Sequence, residues 1–278
     1  MTVTAQHTTV HLDPHRNVPG VRRTGFRESL AAEWIKFWTV RSTRWSLALL
    51  FLLGAGLTTL VCWAAADAIA SGEAGESAAS FVTWGLIFSQ LTALAVGTLV
   101  ITGEYGTGMI RATLSAVPRR GQVLAAKAVV LTGVLFVAGV VTAVAGWLGG
   151  NWFLDREGVG VALSDDGVQR ALLGNGLYLA GLGLFALGLG LLIRHTAAAL
   201  TVGMALVLVV GNLAYALPGE WGEWVAKLLP GNAGSAVAQV APFAGNSMLG
   251  PWTGFAVFAA ETTAVLLAGW VVLRRRDA

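Results

Sequence analysis

Glu261 is the single formally charged side chain within six long apolar stretches of this 278-residue chain. An acid at that depth can carry a proton, gate a polar path or hydrogen-bond to a neighbouring helix. Insertion scales put a charged acid at mid-bilayer at about 2.5–3.5 kcal/mol, so it must face protein or water, or be protonated. Gln90, Asn175 and Asn212 are polar residues of other stretches that could meet it. A pathway or gate built from Glu261, Gln90 and Asn212 and a plain interhelical hydrogen bond therefore both stay open. His7, His11 and His15 recur every fourth residue, a spacing that on a helix presents a metal-binding face. Pro14 interrupts that helix and the surroundings are Thr-rich, so a solvated tail fits these residues better. Nucleotide hydrolysis needs Gly-Lys-Ser/Thr in a phosphate-binding loop, and the three lysines, Lys36, Lys127 and Lys227, follow Ile35, Ala126 and Ala226. This chain has no ATP-binding motif of its own. Neither H-E-x-x-H nor G-x-S-x-G occurs, and His195 is the one histidine bordering an apolar stretch, so hydrolase and metalloprotease chemistry finds no residues. Cys62 is the only cysteine, which excludes an intrachain disulfide, and it reads as a small buried apolar residue.

The elements that position these residues are predicted to be membrane helices. The stretches span 46–66, 80–102, 128–150, 171–193, 196–217 and 251–273, and each meets the roughly 20 apolar residues that a hydrocarbon core of about 30 Å requires. Hydrophobic residues make up 55% and charged residues 12%, with 36 glycines, a balance that membrane helices permit and soluble domains rarely show. The expected fold is all-α and polytopic, with six spans forming a domain over 46–273. The basic residues do not point to nucleic acid, because they flank the spans.

Sorting charges by loop sets the orientation. With both termini inside, the inner segments hold 15 of the 18 Lys and Arg residues and the outer loops only Arg156, Arg170 and Lys227. Nine of the 15 acids fall outside. Both termini are accordingly expected in the cytoplasm, with residues 274–278 a basic tail. The outer loops are then 67–79, 151–170 and 218–250, and the long inner loop is 103–127.

Residues 1–28 read as a mobile cytoplasmic tail. Over 29–45, Leu30, Trp34, Phe37 and Trp38 share a helical face, with Glu33, Lys36 and Arg44 largely elsewhere, as suits a helix lying in the inner headgroup layer. In the inner loop, Met109, Ile110, Thr113, Leu114 and Val117 repeat with helical spacing up to Pro118, and Gly106 and Gly108 allow a sharp turn before them. This short amphipathic helix could offer a face to a soluble partner or serve as an ordinary basic connector. In the fourth span, Gly174, Gly181 and Gly188 lie roughly opposite Gly176, Gly183 and Gly190, which predicts a helix sandwiched between two neighbours. In the last outer loop Trp221, Trp224, Val225, Leu228 and Leu229 describe an amphipathic helix, fitting an outer gate or an interfacial anchor.

Glu104-Tyr105 followed by Gly108 and Arg111, directly after a second span, resembles the loop of type-2 ATP-binding-cassette (ABC) exporter permeases. The segments AEWIKFWTVRSTRW (32–45) and RATLSAVPRR (111–120) are similar to actinobacterial members, and the likeness covers roughly residues 30–276. It implies that 103–127 is a coupling loop, that Glu104, Tyr105, Gly106, Gly108 and Arg111 couple the permease to an ATPase, and that the chain resides in a bacterial cell membrane. It implies two copies of a separate ATPase subunit, which bind the ATP and Mg, and a second permease copy or a similar permease. Export is the implied direction. The local alternative for Glu104 is a structural one, capping a helix or pairing with a nearby arginine. An ion-gradient-driven carrier or channel and a non-transporting membrane scaffold remain as other readings. An apolar pathway suits lipids or hydrophobic natural products, and no residue singles out a substrate.

Overall fold

The computed structural model describes residues 25–117, 119–214, 220–243 and 248–275. His7, His11 and His15, Pro118 and the side chain of Asn212 lie outside the described residues. Among the described residues all regular structure is helical, and five helices are long and apolar enough to cross a membrane. The fold is that of a polytopic all-α membrane protein.

Helix α1 (Phe26–Thr39) ends at Val40, whose extended backbone also opens α2 (Arg41–Ala70). The expected segment 29–45 is thus divided at Val40, and Ser42 to Trp45 belong to the first spanning helix. The aromatic face of α1 is split, with Phe37 turned inward and the tryptophans outward. Ser29, Glu33 and Phe37 are buried, whereas Trp34 is 50% exposed and stacks edge-on with Trp38 at 5.6 Å on the outer face. In lipid, apolar surface has a favourable solvent outside the bundle, so the polar stripe turns inward.

A short helix α3 (Ala78–Phe81) leads into α4 (Leu86–Gly106), the second span. Gly108 adopts a left-handed backbone (φ 71°), open to glycine without strain, and turns the chain into α5 (Met109–Ala116). Ile110 of α5 is buried and Leu114 packs on the core, leaving Arg111, Ala112 and Ser115 exposed. The third span, α6 (Arg120–Arg156), has 37 residues and overshoots the expected 128–150 at both ends. Lys127 therefore lies two turns inside a helix instead of in the loop. At the far end, Trp147 Nε1 donates to the Val161 carbonyl at 3.0 Å and Val161 N donates to Asn151 Oδ1 at 2.6 Å, folding the loop after α6 onto the bundle.

The fourth span, α7 (Val168–Ile193), is the hub. Gly174, Gly181 and Gly188 back onto Val237, Phe258 and Val265. On its other side Gly176 and Gly183 meet Phe136 and Leu135 of α6, and Gly190 meets Ile101 of α4. Without an aqueous hydrophobic drive, such close backbone approach is what holds helices together in lipid. His195 caps the next helix by accepting from Ala198 N at 3.3 Å. That helix runs as α8 (Thr196–Met204), widens into a π-turn (Ala205–Val209) and continues as α9 (Val210–Ala214). At 1.5 Å per residue the whole run is about 28 Å long, near the bilayer core thickness.

The far-end segment before the last span contains α10 (Glu220–Leu228) and α11 (Pro230–Ser235), with a 3-10 turn at Ala236–Ala238. On α10 the apolar stripe faces away from the bundle: Trp221 is 80% exposed, and Trp224, Val225 and Leu228 are also exposed. The last span is α12 (Pro251–Arg275), packed mainly on α7, with Phe258 against Gly181 and Gly269 against Leu191, while Gly254 meets Ala233 of α11.

Candidate functional site

At the basic end of the bundle four charged side chains close a ring. Glu33 and Lys36 stand one turn apart on α1, Glu104 is in the last turn of α4, and Lys127 is in the second turn of α6. Lys127 Nζ donates to Glu33 Oε2 at 2.7 Å and to Glu104 Oε1 at 2.8 Å. Lys36 Nζ donates to the same Glu104 oxygen at 2.6 Å and to Glu33 Oε1 at 3.0 Å. Each acid thus bridges both lysines, and the formal charge of the ring is zero. The Lys127 side chain is only 2% exposed, and its third donor reaches the Val100 carbonyl at 3.3 Å.

Burying any of these charges singly would cost several kcal/mol or more, and alternation of sign is what makes the cluster tolerable. Burial pulls the Lys36 ammonium down. The hydrogen bonds and charges of Glu104 and Glu33 outweigh that pull and raise it above its ordinary 10.5, so Lys36 stays protonated through the neutral range. Glu104 Oε2 is buried and makes no hydrogen bond among the described residues.

Further contacts tie the same end together. Gln122 of α6 donates to the Ser29 hydroxyl of α1 at 2.9 Å, and Arg120 donates to the Leu273 carbonyl in the last turns of α12 at 2.6 Å. Arg194, in a left-handed backbone conformation that ends α7, places its guanidinium 5.0 Å from the centre of the Tyr105 ring. Thr196 donates to Thr102 at 2.9 Å, joining α8 to α4. Beside the ring lies a cavity of about 310 Å³, walled by Phe37, Val40, Leu99, Met109 and Val130 and bordered by the ring itself.

The residues proposed for coupling are brought together at this end. Glu104 points into the ring, Tyr105 lies under Arg194, Gly106 and Gly108 frame the turn, and Arg111 stands exposed on α5. The expected arginine partner for Glu104 is replaced by Lys36 and Lys127, because α1 and α6 bring those lysines to the end of α4. Glu33, Lys36 and Lys127 are functional candidates that sequence reasoning missed. Their only signal was position, a Glu33–Lys36 pair one turn apart and a lysine abutting the third span.

Of the second constellation, Gln90 and Glu261 are not brought together, and the Asn212 side chain lies outside the described residues. Gln90 lies near the start of α4, where it accepts from the buried Tyr178 hydroxyl at 2.7 Å, and Asn175 donates to the Ala171 and Ala238 carbonyls. Neither meets Glu261, whose Oε2 has no hydrogen-bond partner among the described residues. No group of three or more His, Cys, Asp or Glu side chains that could hold a metal ion occurs among the described residues.

No protein-family model matches this chain, and no curated protein matches it closely enough to count as a relative. The likeness drawn on Glu104, Tyr105, Gly108 and Arg111, on segments 32–45 and 111–120 and on the order of the spans therefore stands on this sequence alone.

Proposed function

We propose that this chain is the membrane-spanning permease subunit of an ATP-binding-cassette exporter in a bacterial cell membrane, with its basic end in the cytoplasm. One observation carries the reading. The acid of the Glu104-Tyr105 pair closes the ion ring that fastens the end of α4 to α1 and α6, immediately before α5. A push on the exposed face of α5 would pass through the Gly106–Gly108 turn into α4 and be shared, through Glu104, with α1 and α6. Such an element suits a contact with a moving soluble subunit, and the absence of a phosphate-binding loop here requires that subunit to bring ATP and Mg²⁺. Two ATPases and a second permease would complete the assembly, and the spans would reorient around a central path as the ATPases close.

The test is ATPase activity of the reconstituted complex. Combining Glu104→Gln with Arg111→Ala should cut permease-stimulated hydrolysis severalfold while leaving membrane insertion intact. It is read on protein that keeps its thermal unfolding transition, since Glu104→Gln also unbalances the ion ring. Unchanged stimulation in the folded double variant removes both residues from coupling. The carrier reading draws on one observation, the unpartnered Glu261 oxygen in α12. Proton- or sodium-gradient-driven uptake into vesicles lacking ATP, abolished by Glu261→Gln, would favour it instead.

A further inference from the structure

At the end of the bundle opposite the ion ring, a cleft of about 190 Å³ opens between the start of α4, the π-turn and α11. Among its lining residues are Thr83, Trp84, Gln90, Asn232, Gln239 and Phe243, and among the described residues no charged side chain borders it. Gln90 is only 7% exposed; Tyr178 takes one lone pair of its carbonyl oxygen, and the amide N–H₂ is left to donate. That group has no partner among the described residues. Asn232 gives its amide N–H to the Ala226 carbonyl at 2.9 Å and Gln239 gives its own to the Ser235 hydroxyl at 3.3 Å. Their two side-chain carbonyl oxygens remain as acceptors, and the Thr83 hydroxyl, on a residue 7% exposed, can donate or accept. The π-turn supplies Val207 and Leu208 to the same wall, and such widened turns recur at functional sites.

We infer that this cleft binds a neutral, hydroxyl-rich head group: a single sugar ring carried on an apolar tail. Unsatisfied donors and acceptors of both kinds call for a ligand that both donates and accepts, as hydroxyls do. The aromatic surfaces of Trp84 and Phe243 suit the C–H faces of a ring. A net charge would meet no described side chain able to neutralise it, which disfavours ionic head groups. A volume of about 190 Å³ suits one sugar ring. As a transport substrate this ligand presupposes the permease reading; as a ligand it does not.

The full chain in lipid nanodiscs is photolabelled with an alkyl glucoside carrying a diazirine on the sugar, and labelled peptides are mapped by mass spectrometry. Probes of equal chain length ending in oligo(ethylene glycol) or trimethylammonium serve as comparisons. Saturable labelling of segments 83–90 and 231–239, displaced by unlabelled alkyl glucoside and weakened about fivefold in Gln90→Leu, is expected. The Tyr178 hydroxyl keeps its bond to the Gly231 carbonyl at 3.3 Å in that variant. Should Gln90→Leu lose its thermal unfolding transition, Thr83→Val, which keeps the side-chain shape, decides by the same weakening. The inference is overturned by labelling that does not saturate, by equal labelling with either comparison probe, or by native labelling in the folded variants. None of these readouts involves ATP, so a failure here leaves the permease proposal standing, and a failure of ATPase coupling leaves the cleft.

Discussion

Lys127 is the most deeply buried cation of the ring, and its removal strands two carboxylates with one partner. Lys127→Met should lower stability by about 3–5 kcal/mol, the usual cost of breaking a buried pair from one side. Adding Glu33→Gln leaves the neutral Lys36–Glu104 pair and should restore most of that loss. Unfolding of the purified protein in detergent measures both, and a single variant within about 1 kcal/mol of native would mean the ring adds no stability. At this scale the sequence was half legible. Glu104 stood out because a motif surrounds it. Its partners did not, because helical spacing gives the faces of one helix and not which faces meet. The shared face of α1 was legible but not how it divides: Phe37 packs inward, while Trp34 and Trp38 lie outward, where lipid is as apolar as any core. Glu33, which in a soluble protein would face water, is the residue drawn inward.

Helices were legible wherever length and hydropathy decide, and their joints were not. Six spans were read from apolar length alone, and five of them stand as single long helices; the π-turn at Ala205–Val209 that interrupts the other and the break at Val40 depend on tertiary packing, and no residue type marks either. The opposed glycine sets of α7 were readable because periodicity is local. Close approach is not, as Gly97 shows. A Cβ there would lie 2.8 Å from the Gly183 Cα and 2.9 Å from the Ala186 Cβ, where α4 crosses α7, whereas one added at Gly133 meets nothing within 4 Å. Gly97→Ala should therefore destabilise by about 1–3 kcal/mol through overpacking. Gly133→Ala should be neutral or stabilise by a few tenths of a kcal/mol to about 1 kcal/mol, since alanine favours the helix. Thermal unfolding of the two variants side by side is the check, and equal effects would contradict the packing given for α4 and α7.

Taken whole, the molecule is polarised along its helices. One end is fastened by the ion ring, with α5 offering Arg111; the other carries most of the acids, in its loops, and a cleft lined by amides, hydroxyls and aromatics, with Trp221 of α10 projecting outward. Which end meets the cytoplasm rests on the charge distribution, because basic residues are retained on the inner side during insertion. Both ends can be probed once Cys62, the only cysteine, is replaced by alanine. Cys62 is fully buried against Gly150, so this substitution removes one sulfur and leaves the surface unchanged. In that background Arg111→Cys should react with a membrane-impermeant maleimide only after the cells are opened, and Trp221→Cys should react in intact cells. The reverse pattern would put α5 outside, beyond the reach of any cytoplasmic ATPase. The ion ring would then hold the bundle together without transmitting a stroke, and the permease reading would fail for the whole molecule.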